Sequence, residues 1–269
     1  MTPRICFIGD SHIAALRQAL NDPRSAVYKD RITMFGSRGT GLKSSIIRDG
    51  ELISDDEAVR GNLLFTGGSE SIAIDAFDVF CIVGSQVKLD LMERTLEDCA
   101  PASMPLPGRA PISSGLMDKL FAERLKMTLA YHLATLLHTT GKPVYLIGNP
   151  RHAEEILNHE QGVFYRTLIE AGVEQEYLRQ FTNALTALFG PLAKIIPQPA
   201  SLLATPMFTR QEFTKGSVLL ARKLKEHPET DFAHMNADYG VAVLTTIMDI
   251  IDGDWADVHQ AGKVKVARN

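Results

Sequence analysis

Five short, nearly continuous apolar runs recur along the chain: Ile5–Ile8, Ile32–Phe35, Val79–Val83, Val144–Ile147 and Lys194–Ile196. Runs of this kind, apolar on both faces, suit strands of a parallel sheet covered on both sides. Between the later runs the apolar spacing changes to that of helices. Leu116–His138 carries Leu120, Phe121, Leu125, Leu129, Leu133 and Leu137, and Gly141-Lys142-Pro143 supplies the stop. Val173–Phe189 is a second helix, closed by Gly190-Pro191, and Ile13–Leu20, Val218–His227 and Met235–Ile251 are further helical stretches. Strands alternating with helices predict a doubly wound α/β architecture. No internal repeat or linker divides the chain, so one domain over 1–269 is expected.

Two segments depart from this alternation. "SIIRDGELI", turning at Asp49-Gly50, predicts a small hairpin at the sheet edge. "CAPASMPLPGRAPISSG" (99–115) has four prolines and no periodicity, and predicts a long loop where a substrate wall or lid would lie.

Composition narrows the function. Apolar residues make up 45% of the chain, enough for a sizeable core. A net charge of -4 and a pI of ≈ 6.1 disfavour a dedicated nucleic-acid binder. No apolar stretch is long enough for a membrane span, and no charged leader with an apolar run precedes Ile5. Cys6 and Cys81 fall inside strand-like runs, and with Cys99 they make an odd count without zinc spacing, which fits a cytoplasmic protein. The histidines at 12, 132, 138, 152, 159, 227 and 259 form no ligand-spaced cluster, and the basic tail "GKVKVARN" is expected to fray.

The candidate chemistry sits at the two ends of the chain. Gly9-Asp10-Ser11-His12 follows the first strand and runs straight into a helix. Ser11 therefore falls at a strand's C-terminal end, where helix N–H groups favour developing negative charge. Asp10 or Ser11 as a simple N-cap is the plain alternative. Near the other end, "TDFAH" sets Asp231 three residues before His234. A serine nucleophile needs a base, and the base needs a carboxylate to fix its tautomer. The pair as helix cap and packing residue is the corresponding plain reading.

Taken together, "FIGDSH" and "DFAH" resemble the first and last sequence blocks of the SGNH, or GDSL-type, hydrolases. The resemblance implies a flavodoxin-like three-layer α/β/α sandwich with a parallel five-stranded sheet. It also implies hydrolysis of an ester or thioester through an acyl-enzyme, with Ser11, His234 and Asp231 as the triad. "ITMFGSRGTGL" stands where the family has an oxyanion-hole glycine; Gly39 is the choice, with Gly36 and Gly41 as alternatives. "VGSQ" stands where the family has Gly-x-Asn-Asp: Gly84 matches, while Gln86 replaces the asparagine and Val87 the aspartate. The implied oxyanion donors are the N–H groups of Ser11 and Gly39 and the Gln86 amide. Asp10, Gly84, Asn149, Arg151 and Asn236 are possible substrate contacts. The His-x-Asn-x-x-Tyr-Gly run from His234 is similar to bacterial carbohydrate-related esterases.

The expected partner is a small-molecule or carbohydrate ester, with no metal or other cofactor, and oligomeric state and acyl transfer are left open. Two rivals remain: a non-catalytic relative, kept alive by Gln86, and a metal-dependent phosphoesterase, since "GDSH" also echoes Gly-Asp-x-His.

Overall fold

The computed structural model describes residues 2–221 and 225–266, with side chains described up to His259. Five strands, here numbered in chain order, form the central sheet: β1 (Ile5–Gly9), β2 (Ile32–Gly36), β3 (Val79–Val83), β4 (Val144–Ile147) and β5 (Lys194–Ile195). All pair in parallel, in the order β2-β1-β3-β4-β5. This is the flavodoxin-like order, which reverses direction between β1 and β3 and opens a crevice at their C-terminal ends. The helices are α1 (Ile13–Ala19), α2 (Glu57–Gly67), α3 (Glu93–Asp98), α4 (Ser114–Lys126), α5 (Leu129–His138), α6 (Val163–Glu170), α7 (Glu174–Phe189) and α8 (Ala237–Val266).

Alternation along β1 builds two cores. Cys6 and Ile8 point to one face, where they join Phe80, Ile82 and the inner residues of α2, α4 and α5. Ile5 and Phe7 point to the other, with Val79, Cys81 and residues of α1 and α8. On that second face α8 lies very close to α1. A Cβ added at Gly240 would come within 2.1 Å of the Ala15 carbonyl oxygen, so the approach requires glycine. The contact carries the segment preceding α8 over the C-terminal end of β1.

The strands fall where the apolar runs predict, and the 46–53 hairpin forms as Ile46–Arg48 paired with Glu51–Ile53. Three expectations change. The helix expected over 116–138 is two helices, because Thr128 takes an extended backbone and its hydroxyl accepts the Tyr131 N–H, starting α5 afresh. The helix expected over 218–227 is replaced by cross-strand pairing: Val218 bridges Glu226, and the His227 N–H donates to the Ser217 carbonyl. Residues 222–224 of that segment lie outside the described residues. The tail expected to fray is helical to Val266, and 267–269 lie outside the described residues. The 99–115 loop closes as a short parallel pair, Cys99–Pro101 with Ala110–Ile112, and buries Met104 and Leu106 in the first core. None of the described residues is in a helix long and apolar enough to cross a membrane.

Candidate functional site

Ser11 and His234 are 223 residues apart in sequence and meet at the C-terminal edge of β1. Ser11 Oγ lies 2.9 Å from His234 Nε2. On the opposite ring edge His234 Nδ1 is 2.8 Å from Asp231 Oδ2. The other carboxylate oxygen accepts the backbone N–H groups of Ala233 at 3.0 Å and His234 at 2.9 Å. Burial works to raise the Asp231 pKa, but the hydrogen bonds from the His234 side chain and backbone, and the His234 charge, hold the carboxyl well below its usual range. It stays anionic and orients the ring with Nδ1 protonated, so that Nε2 faces Ser11 as an acceptor.

Asp10 builds the turn beneath Ser11. It is buried, accepts the His12 N–H at 3.1 Å through one oxygen, and accepts the Ser85 N–H at 2.8 Å through the other. Burial raises its pKa to about 6, opposed by the N–H donors of His12 and Ser85, the His234 charge and the Gln86 N–H. Gly84, Ser85 and Gln86 reach that carboxylate by taking left-handed conformations in succession, with φ of 66°, 57° and 71°. Two of these are not glycine, which costs roughly 1–2 kcal/mol per residue. Asp10 therefore serves as an internal anchor for the β3 loop, in place of the expected substrate contact.

Gly84 cannot accept a side chain. A Cβ there would lie 2.4 Å from Asp10 Oδ1 and 3.0 Å from the His12 Cβ. Gly84→Ala is expected to destabilise the fold by about 2 kcal/mol or more from backbone strain and displacement of the Asp10 carboxylate. Thermal melting of the variant against the parent checks this; unchanged melting would show that the loop has a second accessible conformation.

The residues proposed for an oxyanion hole divide clearly. After β2, the Gly36 N–H donates to Thr66 Oγ1 and the Gly41 N–H to the Arg38 carbonyl. Of the three glycines, Gly39 is the one whose N–H has no acceptor among the described residues; it sits exposed with φ of 57°. Gln86 accepts the Leu129 N–H at 3.1 Å through Oε1. That bond fixes the amide orientation and turns Nε2 away from α5.

Asn236 leaves the list of substrate contacts. Its amide donates to the carbonyls of Glu212 and Lys215, and its oxygen accepts the Tyr239 N–H. It caps α8 and ties down the preceding loop, with no donor left over. Asn149 and Arg151, at the end of β4, instead line a cavity of ≈ 150 Å³ with Val87, Gln198 and Tyr239. No residue of the 99–115 loop lines that cavity.

Two histidines that the sequence left aside belong to the site. His12 stacks on one face of the His234 ring, with centroids 4.6 Å apart and planes 13° apart. His227 stacks on the other face at 4.0 Å and 12°, and its Nδ1 also lies 2.8 Å from Asp231 Oδ2. Burial pushes the His12 pKa down to about 3, and the neighbouring His234 charge adds to this. Burial likewise lowers His227, with the same His234 contribution. Both flanking rings are therefore neutral near pH 7, and they restrict His234 to rotation within its own plane. The sequence signals were the adjacency of His12 to Ser11 and the four-residue step from His227 to Asp231.

His227, Asp231 and His234 present metal-ligating atoms within 4.8 Å of one another. A ring nitrogen holds a metal about 2.0–2.1 Å away along a lone pair in the ring plane. The two rings here are stacked nearly parallel, so their Nδ1 lone pairs do not converge on one point. Chelation would require one ring to turn, and turning His234 would break its contact with Ser11. The residues do not fit a metal in the arrangement they adopt.

No protein-family model matches the chain, and no curated protein matches it. Solved structures do. The chain is similar to a GDSL-like lipase from Bacteroides thetaiotaomicron, at 10% identity over 93% of this chain and 88% of that one, with a TM-score of 0.43. A candidate platelet activating factor from Streptococcus pneumonia matches at 14% identity over 93% and 85%, with a TM-score of 0.44. A candidate acylhydrolase from Bacteroides fragilis matches at 11% over 93% and 87%, with a TM-score of 0.38.

Proposed function

We propose that this chain is an SGNH-type serine hydrolase, a single domain that cleaves an ester or thioester through an acyl-enzyme on Ser11. The observation that carries the reading is the unbroken hydrogen-bonded run Ser11–His234–Asp231 at the C-terminal edge of a parallel sheet. In the first half-reaction His234 Nε2 takes the Ser11 proton as Oγ attacks the acyl carbonyl, and the imidazolium returns that proton to the departing alcohol or thiol. In the second, His234 takes a proton from water, which attacks the acyl-enzyme and releases the acid, with Ser11 reprotonated. Asp231 stays anionic and stabilises the imidazolium in both. A sugar acetate or an acyl thioester would each suit this chemistry.

The reading is tested by mixing the protein with 4-nitrophenyl acetate, quenching in acid and weighing the intact protein. An acetyl adduct on Ser11, with a burst of 4-nitrophenol equal to the enzyme concentration, is the expected result. An unmodified protein that releases no nitrophenol counts against it.

The oxyanion would be held by the N–H groups of Ser11 and Gly39 and by Gln86 Nε2, freed for this by the bond from Leu129 to Oε1. Losing one such donor typically lowers turnover about 10²–10³-fold. Gln86→Ala is expected to fall in that range in kcat with a smaller change in KM. A kcat near the parental value would remove Gln86 from the hole.

A further inference from the structure

The cavity at the ends of β4 and β5 has a feature that the ester chemistry does not use. Arg151 lines it, half-buried, and its guanidinium has no hydrogen-bond or ion-pair partner among the described residues. Arg31, also half-buried, is by contrast paired with Asp252. Burial also works against the charge on Arg151, lowering its pKa. An unpaired, partly desolvated cation is costly, and a site that keeps one commonly awaits an anion.

The chain holds Arg151 firmly in place. Its N–H donates to Gln198 Oε1 at 3.0 Å, and its carbonyl accepts the Thr209 hydroxyl at 2.6 Å. Gln198 Nε2 closes the ring by donating to Thr209 Oγ1 at 2.8 Å, and Thr209 is fully buried. Asn149 and Tyr239 share the cavity wall, and Asn149 Oδ1 is buried without a hydrogen-bond partner among the described residues. The remaining walls are largely apolar, with Leu178, Phe181, Ile196 and Val243 among them. A cationic side chain on an anchored backbone, beside a small and largely apolar cavity, suits a short chain ending in an anion.

Position links this cavity to Ser11. β4 is the second strand from β1 along the sheet, with β3 between them. Strands are spaced roughly 4.8 Å apart, so the end of β4 lies about 10 Å across the same edge. Val87, on the cavity wall, follows the Gly84–Gln86 turn that grips Asp10, and Tyr239 stands in the first turn after His234.

We infer that Arg151 binds an anionic end group, a carboxylate or a phosphate, carried by the acyl part of the ester, so that the substrates are half-esters of short diacids or their phosphorylated counterparts. This rests on the ester-hydrolase reading for its substrate but not for the anion site itself.

The test compares mono-4-nitrophenyl esters of succinic, glutaric and adipic acids, and a phosphonate-ended analogue, with neutral 4-nitrophenyl esters of equal length. The intact protein is expected to favour the best anionic ester by about 10- to 100-fold in kcat/KM, the range of one charge-assisted hydrogen-bonded contact. Arg151→Gln should bring that ratio close to one, and Arg151→Lys should restore only part of it, because the planar fork is lost. A best ratio on the phosphonate-ended ester supports the site and assigns phosphate as its ligand. Ratios near one for every anionic ester overturn the inference while leaving the hydrolase reading intact. If no ester is turned over, glutarate and inorganic phosphate are titrated calorimetrically into the unmodified protein. Binding that Arg151→Gln abolishes keeps the anion site and discards the ester chemistry, and absence of binding discards the site.

Discussion

Ser11→Ala is expected to remove all labelling by a fluorophosphonate probe and to cut ester turnover by about 10⁴-fold or more. The alanine lacks the Oγ that lies 2.9 Å from His234 Nε2. The buried Asp10 anchor and the β3 loop are untouched by the change, so the variant should melt close to the parent. His234→Ala should lose about as much activity alone, and the double variant little more, because nucleophile and base act as one unit. Mass spectrometry of the probe-treated parent should find one modified residue, Ser11. A label on any other serine, or equal labelling of Ser11→Ala, would sink the assignment.

Much of this site was legible in the sequence because its parts are tied to strand ends. An apolar run stopping at Gly9 fixes where Ser11 leaves the sheet, and the "DFAH" run sets its carboxylate one short turn before its base. The order of the five apolar runs and the helices between them likewise suffices for a parallel sheet. What could not be read depends on side-chain placement across the fold. His12 and His227 look like isolated histidines until β1 and the Ser217–His227 pairing put one ring on each face of His234. Apolar spacing over 116–138 is continuous through Thr128, and only its cap geometry shows the helix to be two. Asn236 reads equally well as cap or contact, and its three hydrogen bonds decide for the cap. The Gln86 backbone, left-handed around a buried aspartate, has no signature a local pattern could carry.

Asp231→Asn is the second large effect expected, roughly a 10⁴-fold loss of turnover with little change in fold. The carboxylate oxygen Oδ2 takes two ring nitrogens, His234 Nδ1 and His227 Nδ1, each at 2.8 Å. An anion satisfies two N–H donors at once. An asparagine offers either its oxygen, without the charge that stabilises the imidazolium, or its NH₂ group, which forces the proton of His234 onto Nε2. In that tautomer the nitrogen facing Ser11 is a donor and cannot take the serine proton. The loss should persist throughout the neutral range, because the parental carboxylate is already ionised there. Stability should separate the two proteins at neutral pH, and the gap should close in acid. The Asp231 pKa is depressed in the fold, so its stabilising contribution is present above the unfolded value of about 3.9 and is lost as pH falls through the lower folded value. Melting temperatures followed downward from pH 6 should therefore drop more steeply for the parent than for Asp231→Asn once pH passes below about 4. Parallel acid limbs would mean that the carboxylate gains no net stabilisation from His234 in the fold. In that case a variant retaining near-parental turnover would also remove Asp231 from the proposed mechanism.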